Sequence, residues 1–319
     1  MGVAGIGLLI LSDLILHHYP QSPVAEKVRV ILGIKDLRWF SVEIPRLPPK
    51  PLLMPLTGGY RRTPVLQIGA DIYCDSLCII QELERRFPEP TLFPGGANGM
   101  ALGVSRWTDG ALFNTAVAVV LGSQVSDLPE DFANDRARLY FGPEHDLQSI
   151  SRDLPHLLAQ LRGQLAWAEQ RLATGRSFML GDDPGLPDAL MYYLVWFLRG
   201  RYAGGPALLA SFDALIAWEE RVRNLGHGAA EYMSAQAALA AAKAAVTDTA
   251  GGVETDDPQQ LAEGMEVTVV ADVDGGDPPV RGRLLRADAQ TVTLLHRDEA
   301  VDEVAIHFPR VGYRITAPA

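Results

Sequence analysis

The residues whose types and spacing are best suited to chemistry lie within residues 58–81, which read GGYRRTPVLQIGADIYCDSLCIIQ. A loop ends at Thr63-Pro64, a short hairpin follows over 65–68 and 72–74, and Asp75-Ser76 begin a helix. The free N–H groups and the positive dipole end of a helix N-terminus favour a carboxylate. The stretch therefore predicts a small anion-binding site. The alternative is that Asp75 and Ser76 only cap the helix, the commonest use of such a pair.

The loop before the hairpin can be placed tightly. Gly58 and Gly59 tolerate positive φ, and Pro64 stands at the first residue of a strand, where its missing N–H can face away from the ladder. The Thr63-Pro64 bond is a candidate for the cis form, because an X–Pro bond loses most of the usual trans preference.

The segments before this stretch predict a parallel βαβ unit. Residues 14–18 are an apolar run suited to a central strand, and from Pro23 the apolar side chains recur at helical spacing as far as Gly33. Residues 39–44 read as a second strand, and a helix between two neighbouring strands implies that the strands run parallel. Residues 45–55 contain five prolines, so any helix there must be short. The helix that Asp75 begins is expected to run to residue 87.

The order of strand, Ser-Pro helix, strand, loop, X-Pro-Val-Leu, hairpin and Asp-Ser helix resembles the thioredoxin-like N-terminal domain of the cytosolic glutathione transferases. In that family a cis-proline precedes this valine, the next amide pairs with the cysteinyl backbone of glutathione, and an acidic residue with serine holds the γ-glutamyl end. The resemblance implies that Thr63, Pro64 and Val65 bind the backbone of glutathione here. It assigns the γ-glutamyl end to Asp75 and Ser76.

Two arginines precede the proline turn. Family members often carry a basic residue here that meets a glutathione carboxylate, and Arg62 is the better positional match of the pair Arg61-Arg62. The resemblance therefore implies that Arg62 binds glutathione. The alternative is that both arginines are simply solvated.

Ser22, just before Pro23, matches the Ser-Pro or Cys-Pro of the family's serine-type and cysteine-type members. The reactive form of a thiol is the thiolate, and its ordinary pKa is near ~8.5. Lowering that pKa by about two units requires roughly 2.7 kcal/mol. A helix N-terminus contributes up to ~1 kcal/mol, and a hydroxyl donor ~1.5–3 kcal/mol. The resemblance thus implies that Ser22 stabilises the thiolate, and a serine here disfavours the thiol transfer of cysteine-type members.

Two alternatives to this role of Ser22 stay open. Ser22 could serve only as the helix cap. Tyr19 is the competing hydroxyl donor, since another branch of the family uses a tyrosine from the same strand-to-helix region. Tyr19 could equally be an aromatic side chain that lines the substrate cleft.

Beyond a linker at 87–96, almost every segment has helical period. The sequence predicts helices over 102–124, 150–172, 185–198, 208–225 and 229–246, the last one alanine-rich and closing the bundle. This block resembles the all-α C-terminal domain of the transferases, whose Ser/Thr-x-x-Asp capping box corresponds to residues 185–188 with glycine in place of the hydroxyl residue. The second substrate would lie between the two domains, with Arg106, Trp107 and Phe113 either lining its site or packing ordinarily.

The last quarter of the chain has a different pattern. Residues 247–260 read as a linker. After it the apolar side chains alternate with a period of two residues, as in strands, with a turn at 274–277. The predicted strands are 266–271, 280–286, 291–296, 301–308 and 313–316. Five short strands predict a small barrel of the Src-homology-3 type, which ordinary glutathione transferases lack. The fold class is therefore an α/β thioredoxin-like domain at 12–88, an all-α bundle at 97–246 and a small all-β barrel at 261–319.

Composition sets broad limits on compartment and partners. The 319 residues suggest two or three domains, and the net charge of −11 argues against a nucleic-acid partner. Residues 1–11 are apolar but too short to span a bilayer and lack a basic start, so we expect a leader onto the first strand. Cys74 and Cys78 do not make a disulfide framework, which favours reduced cytoplasm. His17 and His18 face opposite sides of a strand, so no metal site is predicted.

These observations predict a cytoplasmic, homodimeric glutathione transferase that takes glutathione as co-substrate, needs no metal and conjugates the thiolate to a small electrophile, as in detoxification. The dimer is implied only by the resemblance. An alternative of a different class is a non-catalytic glutathione-binding or scaffold protein whose barrel recruits a protein partner. Neither hypothesis involves a membrane or a nucleic acid.

Overall fold

The computed structural model describes residues 13–247, 251–273 and 275–317. The predicted leader at 1–11 therefore lies outside the described residues, as do part of the predicted linker, at 248–250, and one position of the predicted turn at 274–277. None of the described helices is long and apolar enough to cross a membrane.

The N-terminal part has the thioredoxin-like order that the sequence predicts. Its elements are β1 (Leu14–His18), α1 (Pro23–Ile34), β2 (Arg38–Glu43), α2 (Met54–Thr57), β3 (Val65–Ile68), β4 (Asp71–Cys74) and α3 (Ser76–Arg86). β1 pairs in parallel with β2 and antiparallel with β3, and β3 pairs antiparallel with β4. The βαβ unit and the hairpin are thus confirmed, because long apolar runs and a Gly-containing turn define them locally.

The helical part contains more elements than the sequence predicts. They are α4 (Asn98–Trp107), α5 (Phe113–Ser123), α6 (Glu130–Phe141), α7 (Leu147–Arg152), α8 (Leu154–Leu172), α9 (Leu186–Arg201), α10 (Gly205–Leu209) and α11 (Asp213–Leu225). The single helix predicted over 102–124 is wrong, since a π-helical turn, Thr108–Leu112, separates α4 from α5. The predicted helix over 150–172 is two helices that meet at Asp153.

Half of the predicted capping box is present at the start of α9. The carboxylate of Asp188 accepts hydrogen bonds from the backbone N–H of Gly185 and of Met179, both at 2.9 Å. The indole Nε1 of Trp218 donates to the same carboxylate at 2.7 Å. Asp188 is fully buried, and burial raises its pKa to about 6. This carboxylate therefore ties three separate segments of the bundle together.

The alanine-rich helix predicted over 229–246 is wrong in both its start and its location. A short strand, β5 (Ala229–Tyr232), comes first and pairs in parallel with β2, and α12 (Ala235–Ala244) follows. The side-chain amide of Gln67 on β3 donates to the carbonyl of Ala238 at 2.8 Å. α12 therefore lies against the thioredoxin-like sheet and does not close the helical bundle. Small side chains allow this flat contact, and both Ala238 and Ala242 are fully buried.

The five predicted C-terminal strands are confirmed. They are β6 (Glu266–Ala271), β7 (Val280–Ala287), β8 (Thr291–Asp298), β9 (Asp302–Pro309) and β10 (Tyr313–Thr316), which we call the C-terminal module. Neighbouring strands pair antiparallel in the order β10-β6-β7-β8-β9. β9 and β10 end this row on opposite sides, so pairing of the described strands does not close the predicted barrel.

The C-terminal module continues the thioredoxin-like sheet. β9 pairs in parallel with β4, with Ile306 opposite Ile72, and the described strands form one ten-stranded sheet from β10 to β5. Ile72 and Val65 share a hydrophobic cluster with Ile306 and Phe308. The thioredoxin-like part and the module therefore share one core.

Candidate active site

A cavity of about 330 Å³ lies where all three parts of the chain meet. The thioredoxin-like part contributes every residue that the sequence predicts for glutathione except Val65, the helical part contributes residues of α4 to α6 and α9, and the C-terminal module contributes residues near β6 and β10. The predicted residues that line it are Tyr19, Ser22, Arg62, Thr63, Pro64, Asp75 and Ser76. Val65 is fully buried at the start of β3, directly after this wall.

Ser22 caps α1 and also lines the cavity. Its backbone is extended, with φ −73° and ψ 119°, and its Oγ accepts a hydrogen bond from the backbone N–H of Ala25 at 3.2 Å. Because the hydroxyl acts as acceptor in this bond, its own hydrogen remains to be donated. Capping and stabilisation of an anion in the cavity are therefore compatible roles for Ser22.

Tyr19 follows β1 and lines the same cavity. It lies near Arg46 and Tyr140, and burial together with Tyr19 raises the pKa of Tyr140 to about 12. The structure thus brings both predicted hydroxyl donors, Ser22 and Tyr19, to one cavity.

The proline turn has the expected conformation. The Thr63–Pro64 peptide bond is cis. Lys50, which the sequence analysis missed, supports this turn, as its Nζ donates to the carbonyl of Arg61 at 2.8 Å and contacts Thr63 Oγ1 at 3.2 Å. Its only sequence signal is a lone lysine among the five prolines of 45–55.

Lys50 is a buried cation without a carboxylate partner among the described residues. Only 4% of the residue is exposed. Burial, with the nearby charges of Arg136 and Arg61, lowers its pKa to about 8. A buried ammonium is costly unless it is paired, so Lys50 is suited to bind the carboxylate of a ligand.

Asp75 is held from two sides at the start of α3. Its Oδ1 accepts from the backbone N–H of Leu77 at 2.8 Å, and its Oδ2 accepts from the hydroxyl of Tyr313 in β10 at 3.0 Å. Asp75 has φ 75°, a backbone conformation that is rare for residues with a side chain and is found most often at functional sites. Ser76, the next residue, is buried in the cavity wall.

Arg61 and Arg62 do not extend into solvent. Arg62 pairs with Asp277 of the C-terminal module at 2.5 Å, and Arg61 bridges Asp135 of α6 at 2.6 Å and Asp277 at 3.1 Å. The interpretation that both arginines are simply solvated is therefore wrong. The sequence placed Asp277 in a turn, and Tyr313 in a strand, without any signal that either reaches this site.

The predicted second-substrate residues separate into two groups. Arg106 and Phe113 line the cavity. Trp107 does not, because its Nε1 donates to Gln164 at 2.8 Å and its ring lies against Trp167. Trp107 is thus a packing residue between α4 and α8.

The π-helical turn projects Asp109 into the cavity. Lys27 on α1 pairs with Asp109 at 2.7 Å, and the hydroxyl of Tyr193 donates to the same carboxylate at 2.9 Å. These contacts connect α1, the turn and α9 in the wall of the cavity.

The cysteines and histidines lie outside this chemistry. Burial raises the pKa of both Cys74 and Cys78, and both are free thiols. His17 contacts Gln67 at 2.8 Å. Within the described ranges no group of three or more His, Cys, Asp and Glu side chains is placed to hold a metal ion.

A thioredoxin-like domain followed by a helical domain, with this cavity between them, defines the glutathione S-transferase fold. The family model of the glutathione S-transferase N-terminal domain matches residues 16–91, and that of the C-terminal domain matches residues 134–221. A solved GST-like protein from Pseudomonas syringae is 33% identical, with 96% of this chain and 100% of that chain covered and a TM-score of 0.74. The chain belongs to the glutathione S-transferase family.

More distant solved structures share the fold over two thirds of the chain. A glutathione S-transferase from Rhodospirillum rubrum F11 is 19% identical, covering 66% of this chain and 87% of that chain with a TM-score of 0.51. A glutathione S-transferase of Ceriporiopsis subvermispora, solved in complex with glutathione, is 15% identical. The match covers 67% of this chain and 96% of that chain, with a TM-score of 0.51. No curated protein matches the chain.

Proposed function

We propose that the protein is a glutathione transferase that binds glutathione in this cavity and adds its thiolate to a small electrophile. One observation carries the proposal: Ser22, the cis Thr63–Pro64 turn and the Asp75-Ser76 pair, far apart in the sequence, line a single cavity. Membership of the family supports the same conclusion.

Each end of glutathione has a chemically matched group in this proposal. Thr63, Pro64 and Val65 take the cysteinyl backbone, while Asp75 and Ser76 take the γ-glutamyl end, with the Asp75 carboxylate on its ammonium group. Lys50 takes the glycine carboxylate, because it is a buried cation without a carboxylate partner among the described residues. Arg62, already paired with Asp277, holds the neighbouring wall and contributes positive potential.

The role proposed for Ser22 is to stabilise the thiolate. Its hydroxyl donates to the sulfur, and the N-terminus of α1 adds a favourable dipole. The two effects together reach the roughly 2.7 kcal/mol that lowers a thiol pKa by about two units. The thiolate then attacks the electrophile, forming the C–S bond as the leaving group departs with its electron pair.

The ultraviolet thiolate absorbance of bound glutathione, titrated against pH, tests this proposal. We expect a thiol pKa about two units below that of free glutathione, and a pKa close to the free value in Ser22→Ala. Tyr19→Phe is the matched control that separates the two donors. Protein alone is subtracted, and Cys74 and Cys78 add little background because burial raises the pKa of both thiols.

An unshifted titration, or no binding of glutathione, would contradict the proposal. The fold would then be kept without the chemistry, as in the non-catalytic scaffold hypothesis. A homodimeric state, a cytoplasmic location and a role in detoxification belong to the proposal as well. Sedimentation equilibrium tests the first, and cell fractionation the second.

A further inference from the structure

The walls of the cavity have the opposite charge to the rest of the protein. The chain has a net charge of −11, yet the cavity is lined by seven lysines and arginines and only two aspartates. Positive charge gathered in a cleft raises the local concentration of anions and their rate of entry.

Glutathione and the protein's own carboxylates account for only part of this charge. Lys27 pairs with Asp109, and Arg61 and Arg62 share Asp277. Under the proposed function, the glycine carboxylate neutralises Lys50, and the γ-glutamyl carboxylate lies at the start of α3. Arg136 pairs with Asp135. Arg46 and Arg106 remain, and no carboxylate among the described residues pairs with either.

Arg46 and Arg136 are held together against their mutual repulsion. Both guanidinium groups lie on the ring of Phe132, at 4.5 and 4.8 Å from its centre. Arg136 also donates to the carbonyl of Arg46 at 2.7 Å and pairs with Asp135 at 2.6 Å, a carboxylate that Arg61 shares. Partial burial and the charge of Arg136 lower the pKa of Arg46. Arg136 already has a carboxylate partner, so the anion that would relieve the repulsion is one bound at Arg46.

Arg106 lines the cavity where the helical part faces the C-terminal module. A Cβ atom on Gly312 would lie 3.8 Å from a guanidinium nitrogen of Arg106. Phe113 and Tyr140, whose ring centres are 5.5 Å apart, contribute aromatic surface to the same cavity. The acceptor side of the cavity therefore combines aromatic rings with arginines.

We propose that the second substrate is a planar electrophile that carries a carboxylate, bound by Arg46 and Arg106 while its ring lies against Phe113 and Tyr140. This inference rests on the proposed transferase function. In the reaction of an aryl chloride, the glutathione sulfur forms the C–S bond and chloride leaves with the electron pair of the C–Cl bond.

Two matched electrophiles test the inference in the wild-type protein. 4-Chloro-3,5-dinitrobenzoate carries the charge, and 4-chloro-3,5-dinitrobenzamide has the same ring without it. Each kcat/KM is divided by the uncatalysed rate of the same compound. We expect this normalised kcat/KM to be about tenfold higher for the benzoate, the factor that corresponds to the free energy of one charge-assisted hydrogen bond. High salt should reduce the preference, because it screens exposed charges.

Variants then assign the preference to residues. We expect Arg46→Gln and Arg106→Gln each to lower the benzoate-to-benzamide ratio, and the double variant to bring it close to one. Arg297→Gln is the control, since Arg297 pairs with Glu303 on the outer surface of the C-terminal module, away from the cavity. This variant should keep the wild-type ratio.

The possible outcomes are distinct. Equal normalised kcat/KM values for the two compounds in the wild type overturn the inference and leave the transferase function intact. A preference that survives in the double variant also overturns it, because the anion then binds elsewhere. Turnover of neither compound, together with an unshifted thiol titration, overturns the proposed function and this inference with it.

Discussion

Two helix N-termini face the cavity, and the side chains at their starts, Ser22 and Asp75, are expected to act at different stages of the reaction. Ser22 Oγ accepts from a backbone N–H and retains its hydrogen for the sulfur. Asp75 is fixed by Leu77 and Tyr313, and we propose that it binds the amino end of glutathione, which does not react. The first contact sets the fraction of bound glutathione that is present as the reactive thiolate, and the second is the same whether or not the sulfur is ionised.

Ser22→Ala is accordingly expected to lower kcat, and Asp75→Ala to raise the KM for glutathione. Loss of a hydrogen bond to a charged group corresponds to roughly a tenfold to hundredfold change in the affected parameter, kcat for Ser22→Ala and KM for Asp75→Ala. Steady-state kinetics with varied glutathione at a saturating electrophile separate the two parameters. Similar effects of both substitutions on both parameters would contradict this division of roles. Thermal unfolding is the control, since each substitution also removes a helix cap worth about 1 kcal/mol.

Lys50 gives the site a pH dependence that is separate from the thiol. Its pKa is lowered to about 8 from an ordinary value of 10.5, so the folded protein loses this charge as pH rises through 8. Because a carboxylate binds the charged form, affinity should be full below pH 8 and fall above it. S-Methylglutathione, which has no thiol, isolates this effect in calorimetric titrations from pH 6.5 to 9.5.

Lys50→Gln is the control for that titration, because it removes the charge and keeps a hydrogen-bond donor. We expect weaker binding at pH 7 and only the pH dependence of the ligand's own amino group. A variant that reproduces the wild-type profile would show that Lys50 does not bind the carboxylate.

At the scale of elements, the sequence predicts those whose apolar side chains repeat regularly and misses those that do not. α6 is the clearest miss, since only Arg136 and Ala137 are buried along its length, and its polar sequence gives little periodicity. The break at Thr108–Leu112 also gives no signal in the sequence, because the helical pattern continues through it. The alanines of α12 predict a helix, but its location against the sheet depends on contacts that propensity does not describe.

A glycine in α1 explains how the segment leading to β5 passes so close to the first helix. A Cβ atom on Gly33 would lie 2.1 Å from the carbonyl oxygen of Gly226. In a helix interior, Gly→Ala normally stabilises by about 1 kcal/mol. Gly33→Ala should instead destabilise by about 1–3 kcal/mol, the usual cost of overpacking. Urea denaturation measures the difference.

Gly163 in α8 is the matched control, because a Cβ atom there would meet nothing within 4 Å. Gly163→Ala should therefore stabilise by about 1 kcal/mol. The test depends on the sign of the change in the free energy of unfolding that each substitution causes. Stabilisation by both substitutions would mean that the crossing near Gly226 is looser than the structure shows.

At the scale of the whole molecule, the C-terminal module belongs to the same body as the thioredoxin-like part. β9 covers the edge of β4, Asp277 pairs with Arg61 and Arg62, and Tyr313 contacts Asp75. The sequence predicted the strands of the module from their alternation, but the Tyr313–Asp75 contact joins residues 238 positions apart. No local pattern reports such a contact, so the sequence alone predicts a separate unit.

Removal of the residues after 247 should therefore affect more than a partner-binding surface. An unpaired β4 edge favours aggregation, and the shared core loses Ile306 and Phe308. We expect lower stability, measured by urea denaturation, and weaker glutathione binding than in the full chain. Unchanged stability and affinity would restore the view of the module as an accessory.

Tyr313→Phe tests the coupling between module and site with the smallest change, because it removes one hydroxyl and keeps the ring in the core. Loss of its hydrogen bond to the Asp75 carboxylate should raise the KM for glutathione about threefold to tenfold, while kcat stays within about twofold. Arg314→Gln is the control, since Arg314 is the next residue of β10 and pairs with Asp272 at the surface. It should leave both parameters unchanged. A fall in thermal stability without a rise in KM would show that Tyr313 only supports the fold, whereas the expected split would establish that the module positions a residue of the glutathione site.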